Sequence, residues 1–433
     1  MPFYENEQNP ERALLLGVDT GEYDCAASLA ELEELSRTAG AEVVGTVSQK
    51  LPNPNPATYI GSGRMEEVCA FCRANEVDLI VADGELSPTQ QRNIEAQTDT
   101  RVIDRTTLIL DIFAQRARSR EGKIQVELAQ LRYMLPRLTG RGKAMSRLGG
   151  GIGTRGPGES KLESDKRHIR RRIYALEEDL RQMEKRRNAL RTRRKKDGVI
   201  AVAIVGYTNA GKSTLMNYLT EAGVLAEDKL FATLDPTARR LTLPNGQDIM
   251  LIDTVGLVRR LPHHLVEAFK STLEEAKAAD LILNVCDASD PACAEHISVT
   301  ERLLSELGCT KTPMITVMNK CDRVPALYEL PTLGKTVHIS ARTGGGISNL
   351  LSEIEKAVCA HTVRVTLLIP FSEGQVLARI RRDGAVLSET YLPEGTRAEV
   401  IIDTAMLEEL RAYLERIDLS LIHISEPTRP ISI

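Results

Sequence analysis

An apolar run, Val199–Val205, leads directly into Gly206-Tyr207-Thr208-Asn209-Ala210-Gly211-Lys212-Ser213 and then into the helix-like Thr214–Leu219. Nothing else in the 433 residues restricts the fold as tightly. Glycines at this spacing let backbone N–H groups converge at the positive end of a helix, which is what a phosphate group needs, and the flanking strand and helix require an α/β domain. Gly206, Tyr207, Thr208, Asn209, Ala210, Gly211, Lys212, Ser213 and Thr214 are therefore the candidate phosphate-binding residues. Lys212 would reach the β- and γ-phosphates as a catalytic group, and Ser213 would ligate Mg²⁺.

Further along, Asp253-Thr254-Val255-Gly256 closes the apolar strand Ile249–Ile252. A carboxylate at a strand's end holds Mg²⁺ through water, and the Gly256 N–H senses a γ-phosphate, so Gly256 joins the catalytic candidates. Asn245-Gly246, between Leu241–Leu243 and Asp248–Leu251, signals the hairpin that feeds this strand. Asn319-Lys320-Cys321-Asp322 follows the strand Met314–Met318 and decides the base. The Asp322 carboxylate accepts two hydrogen bonds from guanine, whereas adenine turns an acceptor toward it and leaves a buried charge unpaired. GTP and GDP are the expected ligands. Ser340-Ala341-Arg342, after the strand Thr336–Ile339, would support the base from its other edge. Between the phosphate loop and Asp253, the segment Phe231-Ala232-Thr233-Leu234-Asp235-Pro236-Thr237 has the place of a switch loop that needs a hydroxyl for Mg²⁺. Thr233 is preferred to Thr237 for that role, with Phe231 and Ala232 beside the nucleotide.

Outside this region the chain changes character twice. From residue 12 to about 118, short apolar runs (Ala13–Val18, Glu42–Thr46, Val77–Ala82, Arg101–Ile103) alternate with amphipathic ones (Cys25–Ser36, Met65–Asn75, Pro88–Thr98). This predicts a small parallel sheet covered by helices, with Pro52–Gly63 as an exposed loop. Residues 120–197 instead carry two helical stripes, Ile124, Leu128, Leu131 and Leu135, then Leu162, Ile169, Ile173, Leu176, Leu180, Met183 and Leu190. Two antiparallel helices satisfy both. Their tip, 139–160, holds eight glycines together with Arg141, Lys143, Arg147 and Arg155.

The predicted organisation is an N-terminal α/β domain (1–119), an antiparallel helical arm (120–198), a P-loop GTPase domain with a mostly parallel sheet (199–360) and a small C-terminal α+β domain (361–418). The last would run strand, helix, two strands and a helix Thr404–Ile417. Leu419–Arg429 resembles the translation of a transposon-based sequencing adapter, and 419–433 is expected to be an adapter-derived tail.

Charge separates the arm from the rest. Fourteen of the 56 Lys and Arg residues but only four of the 60 Asp and Glu residues fall in 166–196, the footprint of contact with a phosphate backbone. Lys166, Arg167, Arg170 and Arg171 join the four basic tip residues as RNA-binding candidates. The longest apolar runs fall far short of the roughly 20 residues that span a bilayer, and no secretory leader opens the chain, so a cytoplasmic monomer is expected. Cys69 and Cys72 make a lone C-x-x-C on a segment that reads as helix, which does not amount to a zinc site.

Taken together, GYTNAGKS at 206–213, FATLDPT at 231–237, DTVGL at 253–257 and GPGESKLESDKR at 156–167 resemble the HflX family of translation-factor-related GTPases, over nearly the whole chain to about residue 418. The resemblance implies a GTPase that binds the large ribosomal subunit and its rRNA and splits stalled or idle ribosomes, with the N-terminal region entering the peptidyl-transferase area. Asn209 matches relatives that bind K⁺ beside the phosphates. Leu257 stands where Ras-like enzymes carry a water-orienting Gln, so slow intrinsic hydrolysis with the ribosome as activator is expected. A GTPase of ribosome assembly or RNA modification, and an RNA-remodelling scaffold with incidental hydrolysis, share the same nucleotide motifs.

Overall fold

A computed structural model describes residues 10–138, 157–196, 199–220, 231, 237–260, 275–309, 312–324, 334–358 and 362–417. The chain divides into two compact units. In the first, strands β1 (Arg12–Asp19), β2 (Glu42–Lys50), β3 (Leu79–Ala82) and β4 (Arg101–Asp104) form an all-parallel sheet of order β2-β1-β3-β4. Successive side chains of β1 point to opposite faces, so Leu15 enters one core with Leu32, Leu35 and Val81, while Leu14 and Leu16 enter another with Val68, Ile80 and Ile94. Parallel sheets need cover on both faces. Helices α1 (Cys25–Thr38), α2 (Ser62–Ala74), α3 (Pro88–Thr98) and α4 (Arg105–Arg116) supply it.

That requirement corrects one expectation. The loop 52–63 is not wholly exposed: reciprocal backbone hydrogen bonds between Asn55 and Tyr59, both 2.9 Å, turn it inward, and Tyr59 and Ile60 complete the second core. Helix α4 went unpredicted, because the dense run Leu108–Phe113 lacks the helical apolar–polar period. Its start is fixed instead by the Asp104 side chain, which accepts from Thr107 N at 2.9 Å.

Phe231 and the segment Val255–Arg260 group with this unit. Phe231 meets Phe113 edge-to-face at 4.5 Å, and Val255 and Val258 lie in the first core. Arg105, itself buried, donates to Asp83 (2.8 Å), Glu31 (2.6 Å) and the Arg259 carbonyl (3.2 Å), while Arg260 donates to the other Asp83 oxygen at 2.9 Å.

The arm consists of α5 (Arg120–Arg137) and α6 (Pro157–Lys196). Ile124, Leu128 and Leu176 form its core, with Leu131, Ile173, Leu180 and Met183 packed around them. Arg172 grips Glu127 through two hydrogen bonds of 2.6 and 2.8 Å, and Arg132 donates to Glu177. Leu190 departs from the expected stripe and is 57% exposed. It lies well beyond the stretch of α6 that α5 accompanies. Nearby, Arg191 pairs with Glu275 at 2.8 Å.

In the second unit, β5 (Ile200–Gly206), β6 (Thr237–Thr242), β7 (Asp248–Asp253), β8 (Leu281–Asp287), β9 (Met314–Asn319) and β10 (Thr336–His338) form a sheet of order β10-β9-β8-β5-β7-β6. Every pairing is parallel except β6 with β7, the hairpin turned by Gly246 at φ +84°. Helices α7 (Lys212–Thr220), α8 (Cys293–Glu306) and α9 (Ile347–Val358) accompany it.

A separate antiparallel sheet, β12-β13-β11-β14, is made by β11 (Thr362–Ile369), β12 (Ala385–Leu392), β13 (Gly395–Asp403) and β14 (Leu414–Ile417), with α10 (Gly374–Asp383) and α11 (Thr404–Leu410). The predicted helix to Ile417 therefore stops at Leu410. Strand β14 instead pairs with β11, Ile417 opposite Val365 and Leu414 opposite Leu367, and Leu414 packs against the core of this sheet. The expected fold class, a parallel-sheet GTPase domain with an N-terminal α/β domain, a helical arm and a small α+β domain, is the one observed.

Candidate functional site

The second unit brings together, at the C-terminal edge of its parallel sheet, the loop after β5, the end of β7 and the ends of β9 and β10. This edge is where doubly wound sheets hold ligands. The loop is backbone-tight. Gly206 has φ +147°, and a Cβ there would lie 2.1 Å from the Val285 carbonyl oxygen. Gly211, at φ +89°, would place a Cβ 2.3 Å from Asn319 Nδ2. Asn209 completes the curl at φ +59°, a conformation that Asn tolerates better than most residues.

Lys212 opens α7 and is buried. Its Nζ donates to the Gly206 and Tyr207 carbonyls at 3.1 and 2.8 Å. Burial pushes its pKa down to about 8, with the Asp253 carboxylate opposing the shift. Ser213 donates to Asp253 Oδ2 at 2.9 Å, so a hydroxyl and a fully buried carboxylate converge. Hard oxygen donors of this kind suit Mg²⁺, so the residues present fit that ion. Thr214 follows within α7.

Asn319 couples the ends of β9 and β10 to the loop after β5, donating through Nδ2 to the Ala210 carbonyl (2.9 Å) and accepting at Oδ1 from Ala341 N (2.9 Å). Lys320 sits at φ +62° with Nζ 2.7 Å from Asp287 Oδ2. Asp322 is exposed and accepts from Ser340 Oγ at 2.7 Å, and this hydrogen bond holds its pKa below the usual carboxylate range. Arg342 is exposed next to the buried Ala341. Phe231 and Gly256, two further candidates, are buried and group with the first unit. Ala232 and Thr233 lie outside the described residues, as do Arg141, Lys143, Arg147 and Arg155. Of the remaining RNA candidates, Arg167, Arg170 and Arg171 are exposed on α6 and Lys166 is half-buried.

Sequence reasoning missed His296. Its ring lies on that of Tyr207, centroids 3.8 Å apart and planes within 9°, with His296 Nδ1 3.6 Å from Asp290 Oδ2. A solitary histidine on an amphipathic helix gives no signal of that contact.

Three family models match the chain: GTP-binding GTPase N-terminal over residues 26–114, GTP-binding GTPase Middle Region over 116–194 and 50S ribosome-binding GTPase over 201–320. A GTPase HflX of Caldanaerobacter subterraneus subsp. tengcongensis is 50% identical over 95% of this chain and 95% of its own length. The GTPase HflX of Escherichia coli is 41% identical over 89% of this chain and 92% of its own. Among solved structures, a GTP-binding protein of Sulfolobus solfataricus in complex with GDP is 25% identical, covering 80% of this chain and 98% of that one, with a TM-score of 0.44.

Proposed function

Because the chain belongs to the HflX family of GTPases, we propose that it associates with the large ribosomal subunit in a GTP-dependent manner and splits stalled or idle ribosomes. The match of residues 201–320 to the 50S ribosome-binding GTPase model supports the choice of partner. The observation that carries the nucleotide half of the reading is the Asn319 side chain, which ties the base-reading segment to the phosphate loop through two 2.9 Å hydrogen bonds.

In this reading Asp322 accepts from guanine, with Lys320, Ser340, Ala341 and Arg342 around the base, while the amides of Gly206–Thr214 wrap the phosphates. Lys212, its carbonyl partners exchanged for phosphate oxygens, neutralises charge between the β- and γ-groups. Ser213, Asp253 and Thr233 would hold Mg²⁺, which when bound spreads the charge of the phosphate oxygens. Phe231 and Ala232 flank the nucleotide, and the Gly256 N–H reports the γ-phosphate. Leu257, buried and without a polar atom on its side chain, cannot orient water. Hydrolysis is therefore slow in the free protein and accelerated by the large subunit. Asn209 supports a K⁺ ion beside the phosphates, and equal turnover in Na⁺ and K⁺ buffers would refute that assignment.

Cosedimentation with purified large subunits, in GDP and in a non-hydrolysable GTP analogue, tests the proposal. The analogue should strengthen binding and should convert intact ribosomes to subunits on a sucrose gradient. Binding indifferent to nucleotide would remove the switch. Binding without dissociation would favour a role in ribosome assembly.

A further inference from the structure

Helix α6 has two unlike sides. On the inner one, Leu176 is buried against α5 and the charges are committed: Arg172 to Glu127, Glu177 to Arg132 and Asp179 to Arg120. Roughly opposite lies a ridge at helical spacing, Arg167, Arg170, Arg171 and Tyr174, followed by Arg181. The Tyr174 side chain is 70% exposed. Among the described residues Arg167, Arg170 and Arg171 enter no ion pair or side-chain hydrogen bond, and the nearest acid further along this ridge, Glu178, is paired with Arg181 at 2.8 Å. One exposed tyrosine is ordinary on a protein surface. A tyrosine held out in solvent beside three uncommitted guanidinium groups is a different object.

We propose that Tyr174 is a base-stacking platform for single-stranded RNA, with Arg167, Arg170 and Arg171 holding the phosphates of the strand that passes over it. An aromatic face binds any unpaired base without reading its edges, and arginines within about two helical turns supply the backbone charge. A duplex offers no free base face, so the ligand is an unpaired stretch. The inference rests on the reading of the arm as RNA-binding and adds the manner of recognition.

The chain contains no tryptophan, so Tyr174→Trp in the full-length protein creates a single emitter on the ridge. Adding a short oligoadenylate should quench it, while the same oligonucleotide annealed to its complement should quench it far less. Tyr391→Trp, at a similarly exposed position on β12, is the reference and should stay bright. In parallel, fluorescence anisotropy of labelled oligoadenylate should show affinity falling about tenfold in Tyr174→Ala and retained in Tyr174→Phe. Arg170→Ala with Arg171→Ala should flatten the dependence of affinity on salt.

RNA that binds Tyr174→Ala as tightly as the parent, with no quenching in Tyr174→Trp, overturns the stacking site but leaves the RNA-binding arm standing. Absence of any binding to oligoadenylate or to large subunits removes both. Loss of large-subunit binding in Tyr174→Ala with neither quenching nor RNA affinity affected would assign the ridge to a protein partner and overturn the proposal.

Discussion

The carboxylate expected to read guanine has its pKa lowered chiefly by one neighbour, the Ser340 hydroxyl 2.7 Å away. A carboxyl whose pKa is depressed in the folded protein stays charged as the pH falls through its ordinary value of 3.8, and the contribution it makes is lost only below that. Ser340→Ala removes the largest cause of the depression. GDP affinity, followed by titration calorimetry from about pH 6 to about pH 4, should therefore begin to fall at a higher pH in the variant than in the parent. Superimposable acid limbs would show that Ser340 does not tune Asp322. At this scale spacing sufficed to name Gly206, Lys212, Ser213, Asp253, Asn319 and Asp322 as candidates, and the structure brings Lys212 to the Gly206 carbonyl, Ser213 to Asp253, Asn319 to Ala210 and Asp322 to Ser340. The Tyr207–His296 stack could not be named in this way, since it joins residues far apart in the chain through shape alone.

Among the elements, the central parallel strands of the first two sheets were legible because full burial imposes continuous apolar runs, as in Leu281–Val285. Elements whose identity depends on a partner were not. Helix α4 is set by a cap and by the first core, which takes Leu108, Ile109, Leu110, Ile112 and Phe113, rather than by its own period, and β14 needs β11 beside it. The Arg105 network is likewise invisible from sequence, since nothing marks Glu31, Asp83 and Arg105 as meeting. Its importance follows from burial: Asp83 is fully buried and Glu31 nearly so. Arg105→Met should cost about 3 kcal/mol, the lower end for breaking a buried pair, because Arg260 still reaches Asp83. Chemical denaturation would read that loss, and a change below about 1 kcal/mol would mean that water already shares the load.

Across the molecule, the expected division into four parts followed changes of pattern and of charge, apolar runs alternating with amphipathic segments, then helical stripes, then alternation again, whereas the chain itself divides into two compact units. The arm's basic excess predicts its chemistry as well. Affinity for large subunits should fall steeply as salt rises from about 50 to about 200 mM, as counterion release requires. Replacing Arg167, Arg170 and Arg171 together should lower that slope by about 2 to 3, whereas a flat response in the parent protein would exclude phosphate contacts as the main source of binding.

The C-terminal sheet carries one more implication. Strand β14 is only four residues long, yet it occupies the flank of β11, whose Val365, Leu367 and Ile369 are buried. Stopping translation after Tyr413 would strip that flank and leave a row of amide and carbonyl groups looking for a replacement strand. The shortened protein should then recruit one from another copy, visible as concentration-dependent dimers or larger particles in light scattering, and a synthetic peptide spanning 414–417 with its neighbours should suppress them.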